Sequence, residues 1–399
     1  MTQRLRLAVF TTHPIQYQVP VWRSLAADPE LEVRVFFGSD FSVRGYVDQE
    51  FGVRFAWDMP MTEGYTREFL IADPTVRSAG QLHLKAAQIK ARVARFAPHV
   101  ALLCGYAPTS FYWPLIRYLR GVDIPLLLRG EVTDADQARP LPKRLVRAVV
   151  LYVLYHRFSG LLVIGENARR HYYACGVPAA KTYWSPYNVN TDWFDQQVQR
   201  WEPQRDAVRR SLGFAPDQPV FIFSGKLIPK KDPLILPDAL RLLVEQSGLA
   251  PGLIVLGDGE LRRALEDALA VLPQIKAVLA GFQNQREVGR YYAAADCLIL
   301  PSRWGETWGL VVNEALQFGL PAIVSERVGC WPDLIVEGQT GSVFPPGNPS
   351  ALACCMQSML AALSASKDTV STVCRQKVAQ YSTKHAAAGI RHAALAVSK

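Results

Sequence analysis

The chain has 399 residues, too many for one compact core, which implies two domains. Hydrophobic residues make up 49% and charged residues 20%, so the chain reads as globular, and no apolar run approaches the roughly 20 residues that a membrane-spanning helix needs. The net charge is +9, most of it before about residue 200; that bias suits anionic lipid, an anionic acceptor or a merely solvated surface, while no zinc spacing or basic–aromatic interleaving points to nucleic acid.

The N-terminal MTQRLRLAVFTTHP has too short an apolar run for a signal peptide and reads as a first strand. LRLAVFT, LEVRVFF, HVALLCG, PLLLRG and GLLVIG are runs of the buried-strand type. Between them Gln18–Ala27, Val76–Phe96, Thr109–Gly121, Leu141–His156 and Glu166–Cys175 carry helical patterning. Such βα alternation predicts a parallel sheet with helices on both faces. Ligands of these sheets sit at the C-terminal ends of strands. His13, Gln16 and Tyr17 follow the first strand, and Tyr106, Arg129 and Glu131 end later ones, so these six are candidate cleft or acceptor contacts. Each also has an ordinary reading as a loop residue.

PLPKRLVRAVVLYVLYHR, around Leu141–His156, has a basic start and an apolar body. It suits either a membrane surface or a buried helix of the first sheet, and the buried helix is the reading adopted. Asp134–Ala135–Asp136 has the letters of a metal-binding pair but sits in a polar loop and is set aside; no metal site is expected. Seven cysteines without metal spacing suit a reduced, cytoplasmic protein, with the inner face of a membrane as the alternative placement.

Pro186–Pro203 breaks the alternation and reads as a linker. VFIFSG, GLIVLGDG, KAVLAGF, DCLILPS, PAIVSE and GSVFPP then read as strands, with helices over Asp232–Ser247, Glu260–Val271, Arg286–Ala294, Leu310–Phe318 and Pro349–Ala362. The expected domains are 1–190 and 205–383. The Ala-rich stretch 384–399 forms a helix that either packs back on the first domain or frays.

Chemistry concentrates in the second half. Gly225 ends a strand and is followed by Lys226, Lys230 and Lys231, a cationic strand end that suits a diphosphate, or else a solvated lysine cluster. LGDG supplies a tight turn in which Asp258 is a turn residue or a ligand contact. Phe282 ends a third strand, against a base or in the core. RWGETWGLVVNEALQFG places Glu306 in a strand-to-helix turn and Glu314 inside the helix, at most on the order of 12 Å apart, with free N–H groups at the helix start. That span matches a sugar, a diphosphate and a ribose, and suggests a nucleotide-sugar site.

These residues carry a resemblance. ETWGLVVNEA resembles the Glu-x7-Glu motif of the retaining nucleotide-sugar glycosyltransferases of family 4 (group 1), which have the GT-B fold. SGKLIPKKDPLIL, IVLGDGELR, YYAAADCLILPSRWGETWGLVVNEALQFGLPAIVSERVG and VEGQTGSVFPPGNPSALA look like that family's successive blocks, covering Pro219–Leu363. HPIQYQVP looks like a branch found among bacterial polysaccharide and glycolipid enzymes, and GVPAAKTYWSPYNVNTDWF like the interdomain junction. The resemblance implies two doubly wound α/β, Rossmann-like domains facing across a cleft, acceptor on the first and donor on the second. It implies that Lys226 and Lys231, beside Gly225, grip the diphosphate, and that Glu314 takes the ribose hydroxyls. Glu306 would meet the donor hexose, and Phe282 the base through its backbone. Backbone N–H groups from Trp308 through Gly309 and Leu310 to Val311, next to Thr307, would face phosphate and hexose. Two positions depart from the family: lysine stands at 226 where arginine is usual, and Arg129-Gly130-Glu131 replaces a loop that often holds a histidine.

The expected function is transfer of a hexose-type sugar, with retention, from a nucleotide sugar to a glycan, glycolipid or small-molecule hydroxyl. UDP-sugar is the first choice of donor and GDP-mannose the second. The nucleotide sugar is a substrate, no cofactor is expected, and the leaving phosphate takes the acceptor's proton. Contact of the basic first domain with a membrane surface belongs to the same reading. A non-hydrolysing sugar-nucleotide epimerase and an inert nucleotide-binding partner of another transferase are the alternatives.

Overall fold

The computed structural model describes residues 4–47, 54–55, 58–132 and 140–398. The chain divides into two compact units: Met1–Tyr46 with Phe55–Asn188 and Ser382–Lys399, and Val47–Arg54 with Val189–Tyr381.

In the first unit the strands are β1 (Leu5–Thr11), β2 (Leu31–Phe37), β3 (Thr66–Phe69), β4 (Val100–Leu103), β5 (Leu126–Arg129), β6 (Gly160–Val163) and β7 (Thr182–Trp184). They form one parallel sheet in the order β3-β2-β1-β4-β5-β6-β7. Val100–Leu103, Leu126–Arg129 and Gly160–Val163 are buried at every position, which is why they read as unbroken apolar runs rather than alternating ones. Helix Thr383–Val397 belongs to this unit, with Ala386, Ala387, Ile390, Ala393 and Ala394 in its core. Its small residues permit close approach: a Cβ on Gly389 would lie 1.8 Å from the carbonyl oxygen of Trp184. Glycine costs helix propensity here but admits the helix to the sheet.

The second unit holds β8 (Val220–Ser224), β9 (Gly252–Leu256), β10 (Lys276–Gly281), β11 (Cys297–Leu300), β12 (Ala322–Ser325) and β13 (Gly341–Phe344). They too are all parallel, in the order β10-β9-β8-β11-β12-β13. This is the doubly wound order that reverses at its first strand, and the crevice at that reversal is where such sheets take ligands. Both units are α/β with Rossmann-like topology, the GT-B class of fold.

Several boundaries differ from the sequence reading. Pro186–Pro203 is not a bare linker: Thr191–Trp201 is a helix whose N-cap Asn190 accepts from the Trp193 N–H. Its asparagine was the helix-start signal, and the flanking prolines masked it. Val76–Phe96 is helical only over Ala86–Phe96, with a short 3-10 turn at Ala79–Gln81. The helix at Pro349 runs on to Ala379, with a break in its dihedrals at Ser366. The edge strands Thr66–Phe69 and Thr182–Trp184 were missed because they are short and only part-buried or exposed, so they lack a buried apolar run.

Leu141–Tyr155 is a helix, but not a buried one. Leu151, Leu154 and Tyr155 pack inward, whereas Leu141, Leu145 and Val149 are exposed by 69%, 68% and 64%. No helix among the described residues is long and apolar enough to cross a membrane.

Candidate active site

The strand ends of β8, β9 and β10 are stitched together by backbone. Gly225 N–H donates to Leu256 O (2.9 Å), Leu227 N–H to Asp258 O (2.9 Å) and Gly257 N–H to Gly281 O (2.8 Å). The β9–β10 register slips at Leu256, which pairs with Gly281. A Cβ on Gly257, whose φ is +129°, would sit 1.9 Å from the Gly225 carbonyl oxygen. Glycine is therefore required for the LGDG turn to close over the lysine-bearing loop. Asp258 serves that turn: one carboxylate oxygen accepts from the Gly259 N–H (2.9 Å) and the other pairs with Arg262 (3.1 Å).

Beyond Gly225 the chain makes a short 3-10 turn, Pro229–Lys231, ending at Asp232 in the left-handed region. That turn is tied to the loop after β11. Arg303 N–H donates to Lys230 O (2.8 Å), and the Arg303 guanidinium pairs with Asp232 (2.7 Å). The result is a contact the sequence reading missed: the Lys231 ammonium is ion-paired with Glu306, 75 positions away. Ser302 Oγ donates to the same carboxylate oxygen at 3.0 Å. Both side chains are largely enclosed. Burial pushes the Glu306 carboxyl up, but Lys231, then Lys230 and Ser302, outweigh it and hold the carboxyl below its ordinary range. Glu306 is thus held as an anion, with the Lys231 ammonium engaged by it.

The loop carrying Glu306 and Thr307 is braced from behind: Gly329 N–H donates to Glu306 O and Cys330 N–H to Trp308 O, each at 2.9 Å. The Trp308 indole is buried and donates to Asn313 (2.8 Å), pinning the turn to the helix that follows. That helix is Leu310–Gln317, with left-handed Gly309 as N-cap and Phe318 as C-cap, one residue shorter than read from the sequence. Val312 N–H already bonds Gly309 O, so Leu310 and Val311 occupy the helix's first two positions, whose N–H groups have no partner within the helix. Glu314 lies buried in the next turn and accepts from the Tyr292 hydroxyl at 2.8 Å. Burial raises its carboxyl to about 7, despite hydrogen bonds from Tyr292 and Gln285 that favour the anion. The two glutamates therefore differ in kind: one is held charged by a lysine, the other is poised near neutrality. Phe282 is half-buried at the end of β10, and Lys226 half-buried after β8.

In the first unit the structure joins two of the six candidates, Tyr17 and Glu131, in one hydrogen-bonded network. Glu131 accepts from the hydroxyls of Tyr17 (2.9 Å) and of Tyr187, a residue the sequence reading did not single out as a site residue. Burial and the Glu131 carboxylate push both phenols up, so they remain protonated donors. Arg129 is buried and spends its guanidinium on Ser185 Oγ (3.1 Å) and Pro186 O (3.0 Å). Tyr106, Arg129, Glu131, Tyr187, Gln18 and Cys104 line a cavity of about 260 Å³. His13 packs on Phe41 and lies 2.9 Å from Thr12 Oγ1; burial lowers it to about 4, which leaves the ring neutral at pH 7. Gln16 Oε1 is buried and has no hydrogen-bond partner among the described residues, and Gln16 does not line that cavity. Among the described residues no three His, Cys, Asp or Glu gather to hold a metal ion; Asp134 and Asp136 lie outside those residues.

Comparison with known proteins gives the same direction. Residues 204–368 match the family described as Glycosyl transferases group 1. The chain is 32% identical over 199 residues to Sulfoquinovosyl transferase SQD2 of Arabidopsis thaliana, covering 48% of this chain and 36% of that protein. It is 32% identical over 127 residues to the UDP-Gal:alpha-D-GlcNAc-diphosphoundecaprenol alpha-1,3-galactosyltransferase of Escherichia coli, covering 31% of this chain and 32% of that one. The chain thus spans about a third of the length of these two curated relatives. A solved glycosyltransferase structure from Rickettsia africae ESF-5 superposes over 100% of both chains with a TM-score of 0.71 at 13% identity, a likeness of fold. The match falls on the doubly wound sheet, the glycine-braced strand ends and both glutamates, so the segment 204–368 is similar to the group 1 glycosyl transferases.

Proposed function

We propose that this protein is a retaining glycosyltransferase that moves a hexose-type sugar from a nucleotide-sugar donor to a hydroxyl of a glycan, glycolipid or small-molecule acceptor. The observation that carries the reading is the Lys231–Glu306 pair standing beside the Gly309-capped helix that buries Glu314. A diphosphate entering at Gly225 meets Lys226, Lys231 and the N–H groups of Leu310 and Val311, which together supply the positive potential that a departing anion needs. Glu314, once ionised, accepts the two ribose hydroxyls through its carboxylate oxygens. Glu306 accepts from hexose hydroxyls, and Lys231 moves part of its charge from Glu306 to the phosphate.

Transfer with retention follows if the leaving phosphate oxygen takes the acceptor's proton on the face of the sugar from which it departs. The C1–O bond to phosphate breaks, the C1–O bond to the acceptor forms, and the proton ends on the nucleoside diphosphate. The enzyme's part is to stabilise the anion and the oxocarbenium-like carbon. The lysines and the helix start bring the charge that a metal would otherwise bring, so the reaction is proposed to be metal-independent. UDP is the proposed nucleotide, in keeping with the name of the E. coli relative, with GDP-mannose as the second choice. The second unit is the proposed donor-binding domain. The first unit is the proposed acceptor-binding domain, on the strength of the cavity at Tyr106, Arg129 and Glu131.

The test is to incubate the protein with a panel of UDP- and GDP-sugars, with and without chelator and acceptors, and to determine which sugar is transferred and with what anomeric configuration. Transfer of one sugar with its configuration kept, unaffected by chelator, is expected. An inverted product would overturn the retaining mechanism, and epimerisation of the donor without any acceptor would favour the epimerase alternative.

A further inference from the structure

The helix Leu141–Tyr155 is the most exposed apolar element of the first unit. Leu141, Leu145, Val149 and Tyr152 recur at helical spacing and make one exposed line; Val146, Val150 and Val153 make a second beside it. The two lines merge into a continuous apolar face over the whole helix. Leu151, Leu154 and Tyr155 point the other way and hold the C-terminal half to the unit, where the Tyr155 hydroxyl meets His171 Nε2 at 2.8 Å. The first turns, from Leu141 to Val146, are exposed on all sides.

The charges on this helix are of one sign. Lys143, Arg144 and Arg147 lie in its first half, off the line of Leu145 and Val149, and Arg157 follows its end. No aspartate or glutamate occurs from Leu141 to Phe158. A second copy of the chain seated on this face would bring like charges together. An anionic lipid surface answers both features, taking the apolar lines into the acyl boundary and the cations onto headgroups. At about 22 Å, from 15 residues at 1.5 Å each, the helix can lie along an interface but not cross it.

We propose that helix Leu141–Tyr155 docks the protein onto an anionic membrane surface, with its Leu141/Leu145/Val149 face inserted and the exposed Lys143 and Arg144 on the headgroups. The proposal does not depend on the transfer reaction. It is tested by floating the full-length protein with vesicles of phosphatidylcholine mixed with phosphatidylglycerol, and with vesicles of phosphatidylcholine alone. The wild type is expected to bind the anionic vesicles at least about tenfold more, and to lose them in high salt. Leu145→Glu/Val149→Glu is expected to lose about tenfold or more of that binding, and Lys143→Ala/Arg144→Ala roughly fivefold per charge removed. All four positions are exposed, so melting temperatures should stay at the wild-type value. Wild-type protein that stays in solution with both vesicles overturns the proposal, as does unchanged binding by the Leu145→Glu/Val149→Glu variant. A dimer in sedimentation that this variant abolishes, with no vesicle binding by the wild type, would assign the face to a second copy instead.

Discussion

The two units share a parallel, doubly wound sheet but build their strand-end polar clusters by different means. In the second unit the cluster stands on backbone: three glycine-bearing strand ends bonded to one another, a left-handed Gly309, and a loop pinned by Gly329 and Cys330. Its two carboxylates are side chains held in unlike environments on that rigid frame. In the first unit the cluster is a web of side chains, with Tyr17, Glu131 and Tyr187 brought in from three separate elements around a buried Arg129. A backbone frame fixes the position of a ligand's invariant part, such as a diphosphate, whereas a side-chain web can be revised one residue at a time. That contrast accords with a donor site in the second unit and an acceptor site in the first.

The contrast can be broken by substitution. The largest effect is expected at Lys231. Lys231→Ala removes the proposed diphosphate contact and leaves Glu306 enclosed without its cation, so transfer should fall by more than about 100-fold and stability by about 3 kcal/mol. Steady-state kinetics and denaturant unfolding read the two losses separately; near-wild-type turnover would remove Lys231 from the site. Gly257→Ala should be nearly as damaging to stability, about 2–3 kcal/mol, because its methyl collides with the Gly225 carbonyl at fixed backbone. A comparable loss from a single change in the Tyr17–Glu131–Tyr187 web would contradict the difference drawn between the units.

Glu314 gives a signature in pH. Its folded value of about 7 lies above the ordinary 4.5, so the native state holds the proton more tightly than the unfolded chain. The associated stability is fully present below about pH 4.5 and is lost as pH rises through about 7, a change of the order of 3 kcal/mol. Unfolding titrations of Glu314→Gln between pH 5 and 8 should lack this slope. Since the proposed ribose contact needs the anion, nucleotide affinity of the wild type should rise across the same interval, and calorimetry at several pH values would detect the absence of such a rise. Tyr292→Phe is expected to have the smallest effect of the second-unit changes, about 1 kcal/mol in nucleotide affinity, with the pH midpoint moved upward because a bond to the carboxylate is lost. In the first unit Glu131→Gln should leave nucleotide affinity untouched and raise the KM for the acceptor.

Legibility in the sequence follows the same division. Glu306, Glu314 and the Gly225–Lys231 loop were readable because each sits in a short block where glycine spacing and a strand-to-helix change dictate the local backbone. The strands buried on both faces were readable as apolar runs, and the edge strands Thr66–Phe69 and Thr182–Trp184 were not. The Lys231–Glu306 pair and the Tyr292–Glu314 bond were invisible, since each joins residues more than 20 positions apart and depends on strand order. Tyr187 escaped for the same reason. The helix at Leu141 was misjudged because an apolar face looks alike in sequence whether it meets a core or a surface; only its exposure in the folded chain distinguishes them.

The most direct test of the account is calorimetric titration of the ligand-free protein with UDP and, separately, GDP, for the wild type, Lys231→Ala, Glu314→Gln and Glu131→Gln. The account predicts that the wild type binds a nucleoside diphosphate, that Lys231→Ala and Glu314→Gln each weaken it by at least about tenfold, and that Glu131→Gln leaves it unchanged. Wild-type affinity retained in both Lys231→Ala and Glu314→Gln, or lost in Glu131→Gln, would contradict it.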